Sequence, residues 1–471
     1  MSKNVEYGLF IDFGSTFTKV VLLDLDNLIV AGRTQRPSTV DTDITIALTA
    51  AMEDMKEILG GKVPYRYKLA TSSAAGGLKM AAIGLVPELT VEAAKRAALG
   101  AGAKITGVYA YQLTRKELEE IERASLDLIL LAGGTEGGEQ DTIISNAEKL
   151  AGLGDLHVPI IVAGNKTASD EVSSILASRG KDHVITDNVM PEIGVLEVDK
   201  VRAIIRELFI SRIIEAKGLK NAEEFIDEIL MPTPTAVLAA ARLLADGAEG
   251  EEGLGELAIL DIGGATTDVH SVAKGDPTEP GLVKKGLPEP YVKRTVEGDL
   301  GMRYNASTIV QVAGEEFFSE DRSNSEIDLH NSVSRFVRNP ETLPESEEDK
   351  VLDINLARAA TRFAMERHAG RIETTYGPSG SVYIQYGKDL RGLKTVIGTG
   401  GPLIFGSAPD LIIRETLFSE DNPFSLCPRN PEFYIDREYL LYAVGLLSEK
   451  EPLEALKLGK KYLKRLNNHR A

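Results

Sequence analysis

The chain carries a single cysteine, Cys427, among its 471 residues. That excludes a disulfide framework, a C-x-x-C redox centre and a cysteine-based zinc site within one chain. Histidine is sparse too. Its six residues, at 157, 183, 270, 330, 368 and 469, form no H-E-x-x-H pattern, so they read as surface or packing residues rather than ligands. No apolar run reaches the ~18 residues that a membrane-spanning helix needs. Met1-Ser2-Lys3-Asn4 brings no apolar signal segment, and a cytoplasmic chain is the expectation. Positive charge is in deficit, with a net charge of −18, which argues against nucleic acid and anionic membranes as partners. No G-x-x-x-x-G-K-S/T sequence occurs, so a P-loop is excluded.

What the chain has is apolar residues for substantial cores, at 43%, and length for roughly two to four domains. It also has glycine turns in telling places. From Gly8 an apolar run ends in Asp12; Gly14 follows, then Ser15, Thr16, Thr18 and Lys19 lead into a second apolar run. This predicts a β-hairpin whose turn offers amides, hydroxyls and an ammonium to an anion. An echo runs from Leu260 to Val269. Counted from Asp12 and from Asp261, both stretches place Gly two positions on, Thr six on and Val eight on. The second offers Gly263, Gly264, Thr266 and Thr267. Two such hairpins would face one another and grip one polyphosphate.

The chemistry needs these residue types. Glycine lets the backbone approach phosphate closely, hydroxyls and ammonium groups make charge-assisted hydrogen bonds, and a carboxylate holds Mg²⁺ through its waters. Asp12 and Asp261 are the metal and catalytic candidates. A third turn, Gly398-Thr399-Gly400-Gly401, would let an adenosine pass close to the main chain. A further turn at 133–138 lacks G-x-G-x-x-G spacing and reads as structural.

The remaining pattern is α/β. Tyr7–Asp12, Thr18–Asp24 and Leu28–Arg33 predict a three-strand meander, and Asp41 a cap for a helix to about Leu59. Arg66–Thr71 is a strand ending in the small-residue turn Thr71–Gly77, a place where ligands and tight packing are equally at home. From 126 to 217 strands alternate with helices, as in a parallel sheet. Glu256–Asp261, Asp268–Val272 and Tyr291–Thr295 predict a second meander. Asp421–Pro431 reads as a loop, and Leu453–Leu466 as a closing helix. The expected organisation is a first half over 1–125, an inserted α/β subdomain over 126–217, a connecting helix and linker over 218–255, and a second half over 256–471.

The two hairpins, the run Pro234-Thr235-Ala236-Val237 before the second of them, the turn at 395–404 and Tyr442-Ala443-Val444-Gly445 together resemble the actin-like ATPase superfamily of actin, sugar kinases and seventy-kilodalton chaperones. The resemblance implies two ribonuclease H-like α/β domains around a nucleotide cleft, with ATP and Mg²⁺ as cofactors. One departure stands out. The chaperones carry a glutamate beside or just before the proline-threonine-alanine run, where this chain has Pro232 and Thr233, so the metal and water shell is altered. Thr71–Met80, Leu130–Gly138, Asn188–Gly194, Asp261–Ser271 and Lys293–Arg303 are similar to the MutL/GlmL accessory proteins of glutamate mutase, unrelated to the mismatch-repair protein of the same name. That resemblance implies an ATP-driven reactivating factor that releases damaged cobalamin from an adenosylcobalamin-dependent mutase, whose subunits would be its partners. A homodimer is among the assemblies the sequence allows. Two other readings stay open: a small-molecule kinase of the same fold, and a nucleotide-dependent scaffold. An iron–sulfur dehydratase activator does not fit, because one cysteine per chain supplies too few ligands in a dimer.

Overall fold

The computed structural model describes residues 5–14, 17–39, 43–61, 63–72, 78–216, 226–318, 329–377 and 380–466. The chain forms two units. One comprises Met1–Thr235 with Gly286–Pro288, the other Ala236–Lys285 with Glu289–Ala471.

The first unit opens with the meander β1 (Tyr7–Phe13), β2 (Phe17–Asp24) and β3 (Ile29–Pro37), followed by α1 (Ile44–Ile58) and β4 (Tyr65–Ser72). Leu9, Ile11, Val20 and Leu22 put one face of the meander into a core, and α1 covers it with Ile44, Leu48, Ala51 and Met55 at helical spacing. Each fully buried Leu or Met contributes about 1.5–3 kcal/mol. The cap of α1 is Asp43, whose carboxylate accepts from the amide of Thr45 at 2.8 Å. Asp41, expected in that role, lies outside the described residues, as do Ser73–Gly77. Gly60 ends the helix at φ +69, a left-handed stop that favours glycine.

A second sheet follows. Its elements are β5 (Lys79–Gly84), α2 (Glu92–Gly100), β6 (Lys104–Ala110), α3 (Arg115–Arg123), β7 (Leu128–Leu131), α4 (Asp141–Ala151), β8 (Ile160–Val162), α5 (Ser169–Ser178), β9 (His183–Ile185) and α6 (Asp199–Ala216). All five strands are parallel, in the order β6-β5-β7-β8-β9. The sheet therefore takes in two strands, 79–84 and 104–110, that precede residue 126. Buried residues of α2 and α6 join the core on one face, and those of α3, α4 and α5 join the core on the other, a doubly wound arrangement. The chain then returns to the first sheet through β10 (Glu228–Pro232), which completes the order β10-β4-β1-β2-β3. The next helix, α7 (Thr233–Asp246), contains the division between the units.

The second unit continues with the short ladder of β11 (Gly247–Ala248) and β12 (Glu251–Glu252), then β13 (Leu257–Ile262), β14 (Thr267–Val272), β15 (Leu282–Lys284) and β16 (Val292–Glu297). After α8 (Ala306–Ala313), α9 (Leu329–Arg338) and α10 (Glu347–His368) come β17 (Arg371–Gly377), β18 (Gly380–Tyr386) and β19 (Thr395–Gly400). The chain ends in α11 (Gly401–Ile404), α12 (Pro409–Arg414), β20 (Glu432–Asp436), α13 (Leu441–Ser448), α14 (Pro452–Tyr462) and β21 (Leu463–Arg465). The main sheet runs β16-β14-β13-β19-β20-β21. In both units an antiparallel trio is extended by two parallel strands on the side of its first strand. This repeat is the duplicated α/β fold that the two hairpins predicted. The closing helix is shorter than expected. It stops at Tyr462, because β21 turns away to pair with β20 at the sheet edge. No described helix is long and apolar enough to cross a membrane.

Candidate functional site

In the first unit, sheet register puts Asp12 of β1 opposite Lys19 of β2 and opposite Thr71 of β4. β10 runs beside β4 and delivers Thr233 as the first residue of α7. Asp12 is 1% exposed. Its Oδ1 accepts two hydroxyls, from Thr233 at 2.7 Å and from Thr71 at 3.2 Å, while Lys19 Nζ lies 3.8 Å from Oδ2. Gly14 donates its amide to the Phe17 carbonyl at 3.1 Å, and a Cβ on Gly14 would stand 2.5 Å from that oxygen. Ser15 and Thr16 lie outside the described residues. Thr18, one position before Lys19, faces the opposite side of the sheet. It is fully buried, and its hydroxyl has no partner among the described residues.

In the second unit the hairpin turn rests on the segment 301–305. The Met302 amide donates to the Gly263 carbonyl at 3.1 Å, the amides of Arg303 and Tyr304 to the Gly264 carbonyl, and Asn305 Nδ2 to the Ala265 carbonyl at 3.1 Å. Three consecutive carbonyls thus point toward this support. Gly301 makes the approach possible, since a Cβ there would meet the Ala265 carbonyl carbon at 2.3 Å. The amides of Gly264, Ala265 and Thr266 donate to nothing among the described residues. Successive unpaired amides around a turn form a concavity for an anion.

Two of the predicted donors, Thr18 and Thr267, are fully buried. Thr267 is fully buried and donates its hydroxyl to the Leu300 carbonyl at 2.7 Å, which ties the turn to its support. Thr18 occupies the matching position of the first hairpin, six residues after Asp12, and is buried in the same way.

The third turn meets Asp261 through sheet register. Asp261 pairs with Thr399, and Ile262 with Gly400. Gly400 has φ +93, and a Cβ there would lie 2.3 Å from the Ile262 carbonyl oxygen and 2.9 Å from Asp261 Oδ1. Only glycine leaves that carboxylate in place. Gly401 opens α11 with no atom near its missing Cβ, whereas Gly398 is packed between Leu403 and Ile435. Gly398 therefore serves strand packing, and Gly400 and Gly401 the surface of the turn.

Sequence reading missed Asp436 at the end of β20. It is 2% exposed, accepts from Thr399 Oγ1 at 3.3 Å, and caps α13 through the amides of Leu440 and Leu441. Burial pushes its carboxyl above the ordinary value, against the pull of those amides. Asp261, Thr399, Asp436, Tyr439 and Tyr442 line one small pocket. An aspartate five residues before the start of an apolar helix was the available signal. Arg294 was missed as well. It lies in β16, one strand beyond Asp268, and reaches Asp268 Oδ2 at 3.4 Å beside the facing pair Asp261–Asp268.

Among known proteins, the family model described as MutL protein matches residues 8–463. The chain belongs to the MutL protein family. A relative named Protein MutL from Clostridium tetanomorphum is 49% identical over 456 residues, covering 97% of this chain and 98% of its own length. Solved structures with a similar arrangement include gluconate kinase from Lactobacillus acidophilus, at 10% identity, TM-score 0.36 and coverage of 98% and 93%. Plasmodium falciparum glycerol kinase with ADP gives the same four values. The activator of the 2-hydroxyisocaproyl-CoA dehydratase from Clostridium difficile, with bound ADPNP, has 8% identity, TM-score 0.29 and coverage of 97% and 96%. At these scores the structural likenesses add nothing to the topology above.

Proposed function

We propose that this protein binds ATP with Mg²⁺, hydrolyses it, and uses that cycle to reactivate an adenosylcobalamin-dependent mutase by promoting exchange of damaged cobalamin. The observation that carries the nucleotide reading is the row of unpaired amides at 264–266, backed by three carbonyls held the other way. It is an anion site organised before any anion arrives, so little reorganisation opposes binding.

The residues present fit ATP–Mg²⁺. Asp12 is a buried carboxylate with hydroxyl donors on one oxygen, and Asp261 is a carboxylate that a side chain at 400 would displace. Bound Mg²⁺ would neutralise phosphate charge. Asp12 and Asp261 would hold its waters and orient the attacking one. Lys19 would meet phosphate oxygens from the first hairpin together with Gly14, Ser15 and Thr16, and Gly263, Gly264 and Thr266 from the second. Thr18 and Thr267 would shape the two turns from the core side. Gly398, Thr399, Gly400 and Gly401 would pass the adenosine. The mutase part rests on the family and on the stretches similar to glutamate mutase accessory proteins.

The test is a mutase assay. Glutamate mutase inactivated with a cobalamin lacking the adenosyl group is mixed with this protein, ATP, Mg²⁺ and fresh adenosylcobalamin. Recovery of mutase activity that needs ATP supports the proposal. ATP consumption matched by a phosphorylated metabolite, with no recovery, would replace it with a kinase.

A further inference from the structure

We infer that Thr233 and Thr71 are positioning residues that fix the Asp12 carboxylate through one oxygen and reserve the other for hydrated Mg²⁺. This rests on the nucleotide reading above. A carboxylate has about four lone-pair directions. At 1% exposure, Asp12 has little water to fill them. Two are taken on Oδ1 by hydroxyls that are themselves buried, Thr233 at 6% and Thr71 at 0% exposure. Oδ2 faces the Lys19 ammonium at 3.8 Å, which is ion-pair range and longer than a direct hydrogen bond. The asymmetry therefore selects Oδ2 as the oxygen that meets the metal's water shell.

Threonine suits this task. Its β-branched side chain has few rotamers, so the hydroxyl stays aimed at Oδ1. The three groups come from three adjacent chain segments. Thr71 is at the end of β4, Asp12 is level with it on β1, and Thr233 is where β10 passes into α7. A carboxylate at 233 would stand within hydrogen-bond range of Asp12 and repel it. The residue that departs from the chaperone pattern is thus a donor matched to its neighbour. It orients one aspartate without setting a second carboxylate at position 233 beside it.

The experiment is a Mg²⁺ titration of ATP binding, followed with a fluorescent ATP analogue, so that turnover is not the readout. Thr233→Val keeps the shape and removes the hydroxyl. It is expected to raise the Mg²⁺ concentration for half-maximal binding about tenfold, the size of one hydrogen bond to a charged group. Thr233→Ser is expected to restore the wild-type midpoint. Thr71→Val, which removes the longer bond, is expected to shift it less, and it carries the test where Thr233→Val fails to fold. A wild-type midpoint in both valine variants overturns the inference and leaves nucleotide binding standing. Absence of ATP binding by the wild-type protein overturns the nucleotide reading and this inference with it.

Discussion

Gly445 of α13 lies against the main chain of Ala236 in α7, so closely that a Cβ at 445 would stand 1.9 Å from the Ala236 carbonyl oxygen. Two short motifs more than two hundred residues apart in sequence are thereby pressed together. The contact needs a small residue on one side and no side chain on the other. Ala in place of Gly inside a helix ordinarily adds up to about 1 kcal/mol of stability. Here the added methyl has no space, and overpacking costs about 1–3 kcal/mol. Gly445→Ala is expected to lower the melting temperature. A rise would show that the helices do not meet as described.

Two histidines give stability a pH dependence. His270 and His368 are fully buried, and burial pushes both imidazoles well below their ordinary value of 6.5. Arg294 adds to the effect at His270, and Lys293 and Lys388 add to it at His368. The folded state keeps them neutral while the unfolded chain takes protons. Their contribution is therefore complete above about pH 6.5 and is lost as pH falls below it, at about 1.4 kcal/mol per pH unit for each histidine. The nitrogens of His270 meet no partner among the described residues, whereas His368 bonds Thr295 and Ser271 at 2.8 Å. His270→Leu is expected to flatten the fall of melting temperature between pH 6.5 and 5 without lowering it at pH 7.5. An unchanged slope would mean that His270 titrates normally in the fold.

Cys427 is expected to be inert in the folded protein. It is 2% exposed, and burial pushes its thiol up to about 12. The thiolate, the reactive form, is then scarce near neutral pH. A thiol reagent at pH 8 should label the native chain negligibly and release one equivalent after denaturation, from the single cysteine. Rapid labelling of native protein would place the residue at the surface.

Much of this was legible in the sequence because its signals were local. The hairpins around Asp12 and Asp261 announced themselves by apolar runs and glycine turns, and α1 by the spacing of Ile44, Leu48, Ala51 and Met55. What escaped depends on long-range register. Nothing near Thr233 or Thr71 in sequence says that both hydroxyls reach one oxygen of Asp12; strands β1, β4 and β10 must first align. The same holds for Asp436, which meets Thr399 only because β20 lies beside β19. Thr18 and Thr267 mark the opposite limit. Residue type suggested phosphate donors, but strand alternation turns both inward, and Thr267 holds the Leu300 carbonyl. Asp12 and Asp261 stood out in the sequence as candidates, whereas Asp436 and the two hydroxyls that reach Asp12 did not.

The most direct test of the account is calorimetric titration of ATP into the wild-type protein and into Asp12→Ala and Asp261→Ala, with Mg²⁺ and with EDTA. The account predicts saturable binding to the wild type that requires Mg²⁺ and is lost or weakened more than about tenfold in each variant, the size of one lost charged interaction. No binding by the wild type in Mg²⁺, or wild-type affinity in both variants, would contradict it.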